Sequence, residues 1–155
     1  MKQVLKAALL AAVVIAIDRV TKHIVRGHIG LLQSHTVIPG VLRLVHYRNT
    51  GVAFNALSGS GPVVIVVELL ALLALVVYFA RHPTRRGLWI PTGLLVGGAL
   101  GNLLDRLLDG SVTDFIKFPD WPAFNVADIS ITVGVILLLI VLELSARAGG
   151  RPERR

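Results

Sequence analysis

Four apolar runs constrain this chain more than any other feature. They cover roughly residues 4–25, 62–80, 88–108 and 126–145. A helix rises about 1.5 Å per residue, so about 20 apolar residues cross the ~30 Å of bilayer hydrocarbon. Lipid offers no partner to an unpaired backbone group, so each run is expected as a membrane-spanning helix. The 155 residues then form one all-α membrane domain over residues 1–145 and a basic cytoplasmic tail over 146–155. Composition agrees, with 54% hydrophobic residues against 16% charged. Lys2 and Lys6 ahead of small apolar residues imitate a signal peptide, but "AIDRVTK" is a poor cleavage site and three further runs follow, so the first helix is expected to stay.

An even number of spans puts both termini on one side. Lys2, Lys6, Arg81, Arg85, Arg86, Arg147, Arg151, Arg154 and Arg155 fall there, and the positive-inside rule makes it the cytoplasm. The other side receives Arg19, Lys22, Arg26, Arg43, Arg48, Arg106 and Lys117, several of them in helix ends beside acids. The excess of 16 basic over nine acidic residues is therefore read as topology. No basic stripe with interleaved aromatics points to nucleic acid. Without cysteine there is no disulfide, thiolate nucleophile or thiolate metal ligand.

Two segments lie outside the membrane in this scheme. In residues 27–60, "TVIPGVLRLVHYRNTGVAF" is rich in strand formers and carries "PG" and "NTG" turn signals, so a small β-rich periplasmic platform is expected between the first two helices. Residues 109–125 hold "DGSVTDFIKFPDWPAFN", where Phe118, Trp121 and Phe124 suit an interfacial belt.

Polar residues near these spans are the candidates for chemistry, because a charge beside hydrocarbon persists only with a partner or a task. Gly93, Gly97 and Gly101 recur every four residues and form a smooth face for close helix packing. Asn102, Asp105 and Arg106 follow at i, i+3 and i+4, with Asp105 expected to pair with Arg106 or another base. Asp18 and Lys22 form an i, i+4 pair whose role is structural or a tether for loop or substrate. Glu68 and Glu143 have no acid or asparagine at i+3 or i+4 and read as packing or pairing residues.

Asp114 lies just outside the third span and Asp128 opens the fourth, three residues after Asn125. Spacing alone leaves two readings open: a solvated loop acid with a helix-start acid, or a pair that shares one proton and so holds an acid and a base together. No HExxH occurs, "GSG" at residues 59–61 has no nucleophile-elbow setting, and His23, His28, His35, His46 and His82 lack ligand spacing, so no metal is expected.

Five blocks, "DRVTK" (18–22), "NTGVAF" (49–54), "GGALGNLLDR" (97–106), "VTDF" (112–115) and "FNVADISI" (124–131), together resemble the lipoprotein signal peptidase family, also called signal peptidase II. The resemblance covers all but the basic tail. It implies a multi-pass enzyme of the bacterial inner membrane that removes signal peptides from diacylglyceryl-modified prolipoproteins, cutting before the lipidated cysteine. It implies Asp114 and Asp128 as the catalytic pair, with the active site at the extracytoplasmic face and no cofactor or metal. Asn102, Asp105, Arg106 and Asn125 fall on polar positions around the pair. Asn49, within the block that also holds Gly51, and Arg106 fall on positions expected to meet substrate or the inhibitor globomycin. Asp18 and Lys22 look like support for the outer platform, Asn49 and Phe54 like a roof over the cleft, and the 114–128 stretch like the place for a mobile flap. A monomer in contact with lipid is expected.

Two readings from other classes compete. A small ion or proton transporter would use Asp18, Glu68 and Asp105 as a relay within the membrane. An assembly helper would need only the glycine face.

Overall fold

The computed structural model describes residues 2–51, 61–82, 85 and 87–149. The order is α1 (Lys2–His28), β1 (Ser34–Ile38), β2 (Leu42–Asn49), α2 (Gly61–Arg81), α3 (Trp89–Asp109), β3 (Val112–Lys117) and α4 (Val126–Gly149). Each apolar run is a helix. Val52 and Phe54, the "GSG" and the tail from residue 150 lie outside the described residues.

By length and composition, α2 (from Pro62) and α4 (to Arg147) are apolar enough to cross a membrane. The other two helices carry more charge, and three of their charged residues point inward: Asp18 and Asp105 are 0% exposed and Lys22 1%. Leu5, Leu9, Val13, Ile17, Val20 and Ile24, spaced by three or four, are exposed along the outer face of α1. An apolar exterior over a polar interior inverts the soluble pattern.

The bundle is built on α3. A Cβ at Gly97 would lie 2.7 Å from Val14 Cβ and 2.9 Å from the Ala11 carbonyl, so α1 packs against glycine backbone. Gly98 meets α4 in the same way, 2.5 Å from the Ala127 carbonyl. At Gly101 the missing side chain makes room for a carboxylate: a Cβ would sit 2.9 Å from Asp18 Oδ2. Among the described residues α2 packs extensively on α3 alone. Between α2 and α4 a groove of about 540 Å³ remains, lined by Leu72, Leu75, Leu138 and Leu142 among others.

The strands form one antiparallel sheet in the order β1-β2-β3. β1 and β2 are joined by Pro39-Gly40, with Gly40 at φ +73° and the Val41 N–H donating to the Ile38 carbonyl at 3.0 Å. Proline second and a left-handed glycine third is the type II turn that "PG" suggested. The sheet is not confined to the segment between α1 and α2, because β3 comes from the segment after α3. Residues 112–115 are buried on both faces, so that strand has no two-residue alternation to read.

Candidate active site

The site is assembled where α3 gives way to β3. Gly110, at φ +70°, ends α3 and donates its N–H to the Arg106 carbonyl at 3.1 Å, and β3 starts two residues later. In the β2–β3 register Asn49 faces Val112 and Tyr47 faces Asp114. Asn49 is thus the diagonal neighbour of Asp114 on one face of the sheet. Its Nδ2 donates to Asp114 Oδ2 at 3.0 Å. After β3 the chain reverses through Asp120, at φ +48°, and is tied back by paired hydrogen bonds between Ile116 and Phe124. That closure delivers Asn125 beside the strand.

Asn125 then caps α4 in a reciprocal box with Asp128. Asn125 Oδ1 accepts the Asp128 N–H at 3.0 Å, and Asp128 Oδ2 accepts the Asn125 N–H at 3.0 Å. Two amides that the helix start leaves without partners are satisfied at once. The arrangement also fixes the Asn125 amide, whose Nδ2 donates to Asp114 Oδ1 at 2.8 Å. One buried asparagine therefore joins both carboxylates. Asn102 Nδ2 supplies the remaining oxygen, Asp128 Oδ1, at 2.8 Å.

Behind these amides lies a sealed ionic cluster. Lys22 Nζ donates to Asn102 Oδ1 at 3.0 Å and stands 2.7 Å from Asp18 Oδ2 and 3.0 Å from Asp105 Oδ2. The contact to Asp18 is close as an ion pair but is not aligned as a hydrogen bond. Asp18 Oδ1 accepts the Ala127 N–H at 3.0 Å, so α1 helps cap α4. Asp105 also meets Arg19 at 2.8 Å and Arg26 at 3.2 Å. Its expected neighbour Arg106 is not among its partners. Residues i+3 and i+4 lie about 100° apart around a helix, so Asp105 turns to α1 while Arg106 turns away.

Arg106 reaches across to Glu68 Oε2 at 3.0 Å and to the Gly51 carbonyl at 3.3 Å. Glu68 thus has a partner on another helix, which no local spacing reveals. Asn49, Gly51, Glu68, Asn102, Arg106, Asp114 and Asp128 all line one cavity of about 950 Å³, together with apolar residues of α2, α4 and the 121–124 segment. Asp18, Lys22, Asp105 and Asn125 do not line it. They support its wall from behind.

Asp114 is 4% exposed. Burial pushes its carboxyl up to about 7, and the neighbouring Asp128 adds to the rise. Donated hydrogen bonds from Asn49 and Asn125 and the charge of Lys22 oppose it. A carboxyl that keeps its proton near neutrality beside a second carboxylate can donate and accept a proton in one site. Among the described residues no group of three or more His, Cys, Asp or Glu is placed to hold a metal ion.

All ten sequence candidates lie in this cavity or in the support behind it. Glu68 is the pairing residue its sequence suggests, with Arg106 as its partner, and it also faces the cavity. Arg19 and Arg26 join the ionic cluster as partners of Asp105. They share a helix face with Lys22 at i+3 and i+7, and that spacing was the signal for a common acidic partner.

The sequence matches the family model described as Signal peptidase (SPase) II over residues 10–144. A lipoprotein signal peptidase of Staphylococcus aureus is 39% identical over 139 residues, covering 86% of this chain and 85% of the relative. A solved bacterial membrane enzyme, determined by the in meso method at 2.3 Å, superimposes with a TM-score of 0.86 at 36% identity, covering 96% of this chain and 93% of the other. A second such structure, at 1.9 Å, gives a TM-score of 0.77 at 39% identity, with 88% and 91% covered.

Proposed function

This chain belongs to the signal peptidase II family, and we propose that it removes signal peptides from diacylglyceryl-modified bacterial prolipoproteins, cutting before the lipidated cysteine, with Asp114 and Asp128 as its catalytic pair. The observation that carries the mechanism is the bridge through Asn125, which holds a buried, proton-retaining carboxyl and a second carboxylate on one cavity wall. Asp114, whose carboxyl burial raises to about 7, serves as the acid, and Asp128 serves as the base. Asp128 takes a proton from water as its oxygen adds to the scissile carbonyl, and Asp114 gives its proton to the carbonyl oxygen. Collapse of the tetrahedral intermediate returns that proton to Asp114 and breaks the C–N bond, while Asp128 passes its proton to the leaving amine. Donors from Asn49, Asn102 and Asn125 keep both carboxylates aimed throughout. No metal or organic cofactor enters these steps.

All four helices are assigned as spans, with α1 and α3 hiding their charges in the bundle. The platform and cavity mouth lie at the extracytoplasmic face of the inner membrane, where the lipid of the substrate and the water of the reaction meet. Both termini are cytoplasmic, residues 1–145 are one peptidase domain, and the protein is a monomer. Arg106 and the Asn49–Gly51 turn contact the substrate, or globomycin in its place.

The test is cleavage of purified diacylglyceryl-prolipoprotein by the purified enzyme, with both products weighed by mass spectrometry. The expected pair is a free signal peptide and a lipoprotein beginning at the lipidated cysteine. A cut elsewhere, or equal cleavage of unlipidated precursor, overturns the substrate assignment. Proton leakage through vesicles without any cleavage would instead favour the transporter reading.

A further inference from the structure

We propose that Glu68 is a positioning residue for Asp114, acting from α2 through a chain of polar contacts that ends on the Asp114 carboxylate. This rests on the reading of Asp114 as catalytic. Glu68 Oε2 takes Arg106 Nη1 at 3.0 Å, and Arg106 Nη2 donates to the Gly51 carbonyl at 3.3 Å. The Gly51 N–H donates to Asn49 Oδ1 at 3.0 Å, and Asn49 Nδ2 donates to Asp114 Oδ2 at 3.0 Å. Each contact constrains the next. The Gly51 N–H decides which way the Asn49 amide faces, because only an oxygen can accept it, and that leaves the NH₂ group for Asp114.

Two further observations point to Glu68 rather than Arg106 alone as the anchor. The Arg106 side chain is 10% exposed, and among the described residues its Nε finds no acceptor and Glu68 is its one charged partner, so that contact sets its pose. Among the described residues this ion pair is also the polar contact joining α2 to the rest of the bundle. Glu68 lines both the site cavity and the apolar groove between α2 and α4. The helix that borders the apolar groove is thereby tied to the Asp114 carboxyl.

The test is a double-mutant cycle between Glu68→Gln and Asn49→Ala, with steady-state cleavage and thermal unfolding in detergent measured for every variant. Coupled residues depart from additivity, and independent ones do not. In the wild-type background Glu68→Gln should lower kcat by about tenfold with KM changed by less than about twofold. In the Asn49→Ala background it should lower kcat by less than about twofold more, since the route to Asp114 is already cut. Glu68→Asp, which keeps the charge, should restore most of the rate. Equal losses in both backgrounds, or a fall in melting temperature with kcat intact, overturn the proposal. If Glu68→Gln does not fold, Glu68→Met, which fills a similar volume without the charge, enters the same cycle, with coupling or additivity to Asn49→Ala deciding in the same way. Asp114→Asn, assayed alongside, separates the two levels of the argument: full turnover there sinks the catalytic reading itself, whatever Glu68 does.

Discussion

Asp128 serves two purposes that seemed alternatives when only spacing was known. It closes the capping box of α4 and it faces Asp114 through Asn125. The cap is how the fold holds a carboxylate still beside hydrocarbon. Asp114 has the opposite circumstance, since its carboxyl is raised to about 7 by burial and by Asp128. An unfolded Asp titrates near ~3.9, so between about pH 4 and 7 the folded protein binds more protons than the unfolded chain. Stability should therefore fall as pH rises through that window and level off above it. Thermal unfolding in detergent at pH 5 and 8 reads the slope, and Asp114→Asn should flatten it. The same proton gives kcat/KM an alkaline limb near pH 7, where the pair loses its acid. At Lys22 the effect is electrostatic support. Lys22→Met leaves Asp18 and Asp105 facing each other without their shared cation, a loss on the order of 3–5 kcal/mol for a broken buried pair. A melting temperature within a degree or two of wild type would show the cluster to be dispensable.

At the level of elements, α3 is legible from its own sequence and the sheet is not. The four-residue glycine spacing announced a close-packing face, and Gly93 and Gly97 do meet α1 backbone. Gly97→Ala should destabilise the bundle by about 1–3 kcal/mol through overpacking. Gly27→Ala makes a control, since a Cβ there meets nothing within 4 Å. Equal unfolding temperatures for the two variants would contradict the packing account. Helix existence and the "PG" turn were readable because each is dictated locally, by apolar length or by backbone φ. β3 was not, because its four buried residues erase the alternation that identifies a strand. The Asp105 and Glu68 partners were hidden for a different reason. Both are chosen by which helix lies opposite: the Arg19, Lys22 and Arg26 spacing announces an acidic partner without saying which acid it is. The blocks that resemble the family hold residues that the structure gathers at one cavity and in the wall behind it, but they do not reveal that Asn125 joins the two acids.

Across the whole molecule, the charges of the helix ends are largely paired. Arg19, Lys22, Arg26 and Arg106, which weakened the orientation argument as a bare count, are neutralised by Asp18, Glu68, Asp105 and Asp109. Arg43, Arg48 and Lys117, by contrast, form no ion pair among the described residues. The chain has no cysteine, so one introduced at exposed His35 reports alone. A membrane-impermeant maleimide should label His35→Cys from the periplasmic side and Lys2→Cys only after the membrane is opened. The reverse pattern would invert the topology and put the cavity on the wrong face for its substrate. On the proposed mechanism two carboxylates, held together by Asn125, perform the cleavage. Its most direct measurement is turnover of lipidated prolipoprotein by folded Asp114→Asn and Asp128→Asn, each alone. Loss of one member of an acid–base pair should lower kcat by at least about 100-fold in either variant. Near-normal turnover by either folded protein would contradict it.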